Sequence, residues 1–132
     1  MTKLEMVMNA VEDMGYKPEV DDDGDVFFRY QMKNIYVMMG DEEENYVVVL
    51  MPQFIEVEEG EETLSLALCN KLTRDVKLAK VYIDNNLKTV TSSCEFFYTD
   101  ETSIRNNMEH SLEILGMVRS AYYRAKAELS EE

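Results

Sequence analysis

Apolar positions along the 132 residues recur at two spacings, and the switches between them mark the elements. Near the start, Leu4, Val7, Met8, Val11 and Met14 fall three and four apart, one face of a helix, behind a Thr2-x-x-Glu5 capping box. Gly15 and Pro18 end that helix. From position 26 the spacing drops to two, with Val26, Phe28 and Tyr30 alternating against Phe27, Arg29 and Gln31. A turn expected at Lys33-Asn34 leads to a strand over 35–39, and the polar loop 40–45 leads to a strand over 46–51. Pro52 is expected to break that strand before 54–57 runs on. The second and third strands, IYVMM and YVVVLM, show no polar alternation, so they predict cover on both faces.

Residues 61–78, EETLSLALCNKLTRDVKL, return to helical spacing, with Leu64, Leu68, Leu72 and Val76 in line and Leu66 and Cys69 widening the stripe. Acids at its start and Lys71, Arg74 and Lys77 toward its end suit the helix dipole. Set between two strand blocks, it is expected to be gripped by sheet on one side and by something else on the other. A second hairpin, 80–84 and 89–98, closes around Asn85-Asn86. A last helix over 101–129 follows, with Asp100 as N-cap and Ile104, Met108, Leu112, Leu115, Tyr122 and Leu129 on its apolar side. It would span roughly 40 Å, longer than a strand, so residues 119–132 are expected to overhang the domain. Gly116 in its middle costs up to about 1 kcal/mol against Ala, and a close backbone crossing would offset that. The reading is α+β: a mainly antiparallel five-stranded sheet in α-β-β-β-α-β-β-α order, one domain over 1–132.

Charge narrows the partners. Twenty-seven acids against thirteen bases give a net charge of −14, which repels phosphate backbones and anionic lipid. No nucleic acid and no membrane are therefore expected, and a basic protein partner is favoured. Lys3, Glu5, Glu12 and Asp13 interrupt any secretory h-region, and no run reaches the length of a membrane span. Two cysteines without a CxxC read as reduced thiols, so a cytoplasmic location is expected.

Little of the sequence carries chemistry. In Asp21-Asp22-Asp23-Gly24-Asp25, setting Gly24 at position 6 of a calcium loop puts Tyr30 where a bidentate Glu is required, so the stretch reads as a solvated turn. One His and no Cys pair at ligand spacing argue against structural zinc, and the isolated glycines form no phosphate loop. A hydrolase would need Cys69 or Cys94 beside His110, yet Cys69 lies in an apolar stretch that would hold its thiol protonated. No cofactor is expected. The ten Met residues fit an irregular core more readily than a binding groove.

Four stretches together carry a resemblance: YVVVLMPQF at 46–54, LALCNKL at 66–72, VKLAKVY at 76–82 and VTSSCEFF at 90–97. The chain resembles the YbjN-like family of bacterial sensory transduction regulators, whose fold is that of type III secretion chaperones. The likeness covers most of 1–125 in element order and is specific over 46–97. It implies an eight-element chaperone-like domain, often dimeric, with no known chemistry.

The expected function is that of a non-enzymatic regulator, adaptor or chaperone-like domain acting through protein contacts as a homodimer. The expected contacts are Leu66, Asn70, Thr73 and Tyr82 on the central helix and following hairpin, with Tyr122 and Tyr123 near the end of the last helix. Two alternatives remain: a small-molecule or nucleotide sensor with a pocket between sheet and helices, and a small Cys/His hydrolase.

Overall fold

Local sequence signals set the ends of the helices in the computed structural model, which describes residues 1–130. The first helix, α1 (Lys3–Asp13), opens on Thr2, whose hydroxyl accepts from the Glu5 N–H at 3.1 Å. Gly15 at φ +92° lets the chain leave it. The other two helices are α2 (Glu62–Asp75) and α3 (Glu101–Ser130). Asp100 caps α3 by accepting from the Ser103 N–H at 2.8 Å, while the Ser103 hydroxyl accepts from the N–H groups of Thr99 and Asp100.

The strands are β1 (Glu19–Val20), β2 (Val26–Tyr30), β3 (Lys33–Met38), β4 (Tyr46–Glu56), β5 (Ala79–Ile83) and β6 (Thr89–Phe97). They form one antiparallel sheet in the order β1-β2-β3-β4-β6-β5. The sheet thus has six strands where five were expected. The added β1 is two exposed residues long, too short for any periodicity to announce it. The first hairpin turns at Gln31-Met32, with Tyr30 paired to Lys33, rather than at Lys33-Asn34. Both turn residues take positive φ, +49° and +67°, without Gly or Asn to ease it. Pro52 does not end β4. The strand continues to Glu56 through a register shift between Met51 and Ile55, where Gln53 takes φ +50° and donates its N–H to the Thr91 hydroxyl.

One face of the sheet holds the core. Val26, Phe28, Ile35, Val37, Val47, Val49, Met51, Cys94, Ala79 and Val81 lie on it and pack with Val7, Val11, Leu68, Leu72, Ile104, Met108, Leu115, Val118 and Tyr122. All three helices contribute to this single cluster, so the expected cover on both faces is wrong for a single chain. The strands that looked apolar throughout alternate in burial after all: β4 runs exposed Tyr46, buried Val47, half-buried Val48, buried Val49, half-buried Leu50. Their second face is made of large side chains that no helix covers.

The central helix is gripped by β5 and by α3. Thr73 supplies part of that grip: its hydroxyl accepts from the Val81 N–H at 2.9 Å and donates to the Val81 carbonyl at 3.0 Å. Both backbone groups point off the free edge of the sheet, so one side chain satisfies an edge that would otherwise invite pairing. α2 also removes the expected overhang of α3, because Tyr122 and Ala125 are buried beside it. The Tyr122 hydroxyl donates to Ser65 at 3.2 Å, its ring meets Phe54 edge-on, and Lys126 pairs with Glu61 at 3.4 Å. Residues 131 and 132, part of the stretch expected to overhang, lie outside the described residues. At Gly116 no backbone crosses; the nearest atom to a Cβ there would be the Gln31 side-chain oxygen, at 3.4 Å.

Candidate functional site

The bare face of the sheet is built by register. Residues directly opposite on neighbouring strands share a face, so Phe27, Tyr36, Leu50, Ser93 and Lys80 form one outward row across five strands. Met38, Val48 and Glu95 form a second, and Tyr46 with Phe97 a third. The rings of Phe27 and Tyr36 stack at 5.6 Å. Phe97 is 73% exposed, and Met38, Tyr46 and Tyr82 are each more than a third exposed. A contiguous apolar patch of this kind marks a contact surface more often than scattered apolar residues do. Arg29, the Lys80–Glu95 pair, 2.6 Å apart, and Glu56 are charged members of this face, and the Asp84 carboxylate reaches it by accepting from the Thr89 and Thr91 hydroxyls at 2.6 and 2.8 Å.

A second feature lies on the helical side. A groove of about 780 Å³ runs between the first hairpin (Tyr30, Gln31), the α2–β5 connection (Val76, Leu78) and α3 (Ile114, Met117, Ala121). Leu78 stands at its edge, 79% exposed and at φ +69°. The groove opens widely to solvent beside α3 rather than between sheet and helices, where a pocket was expected.

The six residues expected to make contacts are scattered. Leu66, Asn70 and Thr73 are exposed on α2, and among the described residues the Asn70 amide has no hydrogen-bond partner. Thr73 is committed to the β5 edge. Tyr82 lies on the bare sheet face with the residues that sequence reasoning missed. Tyr123 is exposed on α3, whereas Tyr122 is 1% exposed, packed in the core and unavailable to a partner. That last expectation is corrected by α2, whose position against α3 no periodicity reveals. Some of the missed residues did leave a signal: Tyr36, Val48 and Leu50 are the second-face members of strands that never turn polar, whereas Phe27 and Phe97 share their faces with Arg29 and Glu95.

The hydrolase arrangement does not form. Both thiols are buried, and burial pushes each up to about 11. His110 is exposed on the outward side of α3, while Cys94 faces inward toward the Ser111 carbonyl at 3.9 Å. In the acidic turn, the Asp21 carboxylate accepts from the N–H groups of Asp23 and Asp25, an Asx turn. Among the described residues no group of three or more His, Cys, Asp or Glu side chains is placed to hold a metal ion, and no helix is long and apolar enough to cross a membrane.

This geometry defines a class: an α+β domain with three helices on one face of a six-stranded antiparallel sheet, the other face left open. Within that class the chain shares the fold of YbjN from E. coli, a protein described as a candidate transcription regulator. The two structures superpose with a TM-score of 0.70 at 13% identity, covering 96% of this chain and 93% of that one. An uncharacterised protein from Methanothermobacter thermautotrophicus aligns with a TM-score of 0.45 at 13% identity, over 89% of this chain and 97% of its own. No family model and no curated protein matches the sequence. The resemblance carried by residues 46–97 is therefore met at the level of the fold.

Proposed function

We propose that this chain is a protein-binding domain of the regulator or adaptor kind, chaperone-like in its fold, which works by contact rather than by chemistry. The observation that carries this reading is the open face of the sheet, where Phe27, Tyr36, Met38, Val48, Leu50 and Phe97 stand without a helix over them. Leaving such a surface wet forgoes the stabilisation that burial brings, about 25 cal/mol per Å². A partner recovers it. The burial of both thiols away from the sole imidazole supports a non-enzymatic role, and their free state fits a reducing compartment, the cytoplasm.

A photo-activated cross-linking residue in place of Phe97, introduced in cells, tests the reading. Because Phe97 is exposed at the end of β6, the substitution leaves the core intact. Protein adducts at position 97, absent when the same residue replaces Glu109 on the outward side of α3, are the expected result. Equal or no adducts at the two positions would overturn it.

The small-molecule sensor is the second reading, favoured by the groove of about 780 Å³, a volume in the range of ligand sites. A metabolite that binds there raises the melting temperature of the wild-type chain but not of a Met117→Glu variant.

A further inference from the structure

We infer that the open sheet face receives an amphipathic helix of another protein, apolar along its middle and carrying Lys or Arg at both ends. The inference rests on the reading of that face as a protein contact surface and adds the chemistry of its occupant. Phe27, Tyr36, Met38, Val48 and Leu50 fill the middle of the face. The acids stand at its two ends along β4. At the Tyr46 end Glu95 faces outward, and loop 40–45 contributes Asp41, Glu42, Glu43 and Glu44. Three of these converge on Tyr46, whose phenol is held above its usual range by Glu44 first, and by Glu95 and Asp41 as well. At the other end stand Glu56, opposite Thr89, and the Asp84 carboxylate, which accepts from Thr89 and Thr91. Among the described residues neither Glu56 nor Asp84 is ion-paired. The cations do not undo this pattern. Lys80 is paired to Glu95, and the Lys3 amine is buried on α1, donating to the Met39 carbonyl. Arg29 stands apart on β2, bonded to the Asn34 side chain and the Met32 carbonyl, and Lys88 belongs to the β5–β6 turn.

The distance between the two acidic ends sets the length of the occupant. Tyr46–Glu56 is a strand of 11 residues, which at about 3.3 Å per residue spans roughly 35 Å. A helix of about twenty residues rises about 30 Å, so its two ends reach both groups of acids. On the covered side α3 already lies against β4 and β6, and a helix over the same two strands completes a third layer. A stripe about 10 Å wide covers on the order of 300 Å² of the face, which places the contact in the small, transient class. Charge at the ends then gives it rate and specificity. A second copy of this chain would instead set acids against acids at both ends.

Fluorescence anisotropy of a labelled peptide titrated with the purified full chain is the test. The peptide, about twenty residues long, carries an apolar stripe at helical spacing and lysines at both ends. The expected result is saturable binding in the micromolar range that weakens from low to physiological salt. Val48→Ser and Phe97→Ser should each raise the dissociation constant at least about ten-fold, and since neither changes the charge, the loss reports the apolar contact. Both positions are partly or largely exposed in the single chain, and unchanged circular dichroism confirms the fold. Glu56→Gln combined with Asp41→Asn should weaken binding at low salt, and the same peptide with glutamates for lysines should not bind. Equal binding of a scrambled basic peptide, indifference to Val48→Ser and Phe97→Ser, or no binding at all would each overturn the inference. So would a chain that dimerises through Val48 and Phe97 and keeps the peptide off. If the peptide fails while position 97 still cross-links to another protein in cells, the chemistry assigned to the occupant is wrong and the contact surface stands. If neither occurs, both fall.

Discussion

Cys69 and Cys94 show how burial decides chemistry at the level of one residue. Each is almost wholly buried, and removal from water pushes its thiol from 9.0 up to about 11. Iodoacetamide near neutral pH should therefore modify neither in the native chain and both after denaturation; fast native labelling of either thiol would contradict the burial. The same shift shapes alkaline stability. Between pH 9 and about 11 the unfolded chain has lost thiol protons that the folded chain keeps, so the folded state, unaffected below pH 9, loses stability as pH rises. Replacing both cysteines by Ala should flatten that limb in urea titrations, leaving the slope from Tyr30, Tyr82 and Tyr122, which burial also holds above their ordinary values. An inert Cys69 was readable from its apolar stretch. Lys3 was not: a charged residue at position 3 reads as solvent-facing, yet its amine is buried, donates to the Met39 carbonyl at 2.8 Å and faces the rings of Tyr46 and Tyr98. No local pattern encodes a contact made across thirty-six residues.

Two elements depend on single side chains that periodicity alone would not single out. Thr73 was read as a contact residue on the central helix; in the fold its hydroxyl serves both backbone groups of Val81. Thr73→Val keeps the shape and removes both bonds, so it should cost about 1–3 kcal/mol in urea unfolding, while Thr73→Ser should cost little. A Val variant as stable as wild type would show that water replaces the hydroxyl. Gly116 carries the opposite lesson. The expected backbone crossing is absent, and a Cβ would meet the Gln31 side-chain oxygen at 3.4 Å and the Tyr30 hydroxyl at 4.0 Å, ordinary contact distances. Gly116→Ala should therefore stabilise the chain by up to about 1 kcal/mol through helix propensity, read as a rise in melting temperature. A loss of stability would mean that the hairpin tip, held where the Gln31 carbonyl accepts from Arg119 at 3.0 Å, cannot yield. The helices and the meander were legible because their spacings repeat over many residues. β1, the bulge in β4 and the Gln31-Met32 turn were not, because each is set by one or two residues in positions that only tertiary packing selects.

At the scale of the whole molecule, the two-sided apolar character of the central strands was visible in the sequence, and its consequence was half right. Such strands do have two faces to cover, but the chain covers only one. Which face a helix takes depends on connections and on α2 lying against β5 and α3, and neither follows from hydropathy. What remains is a large apolar face on a −14 molecule, in a fold shared with YbjN. Hydroxyl-radical footprinting of the chain in cells, beside the purified chain, tests this account most directly. It compares Phe97 and Tyr46 on the sheet face with Met117 and Tyr123 on the helical side, all four exposed in the single chain. The account predicts that Phe97 and Tyr46 are oxidised less in cells than in the purified chain while Met117 and Tyr123 keep their rates. Constant oxidation at Phe97, or protection of Met117 in its place, would contradict it.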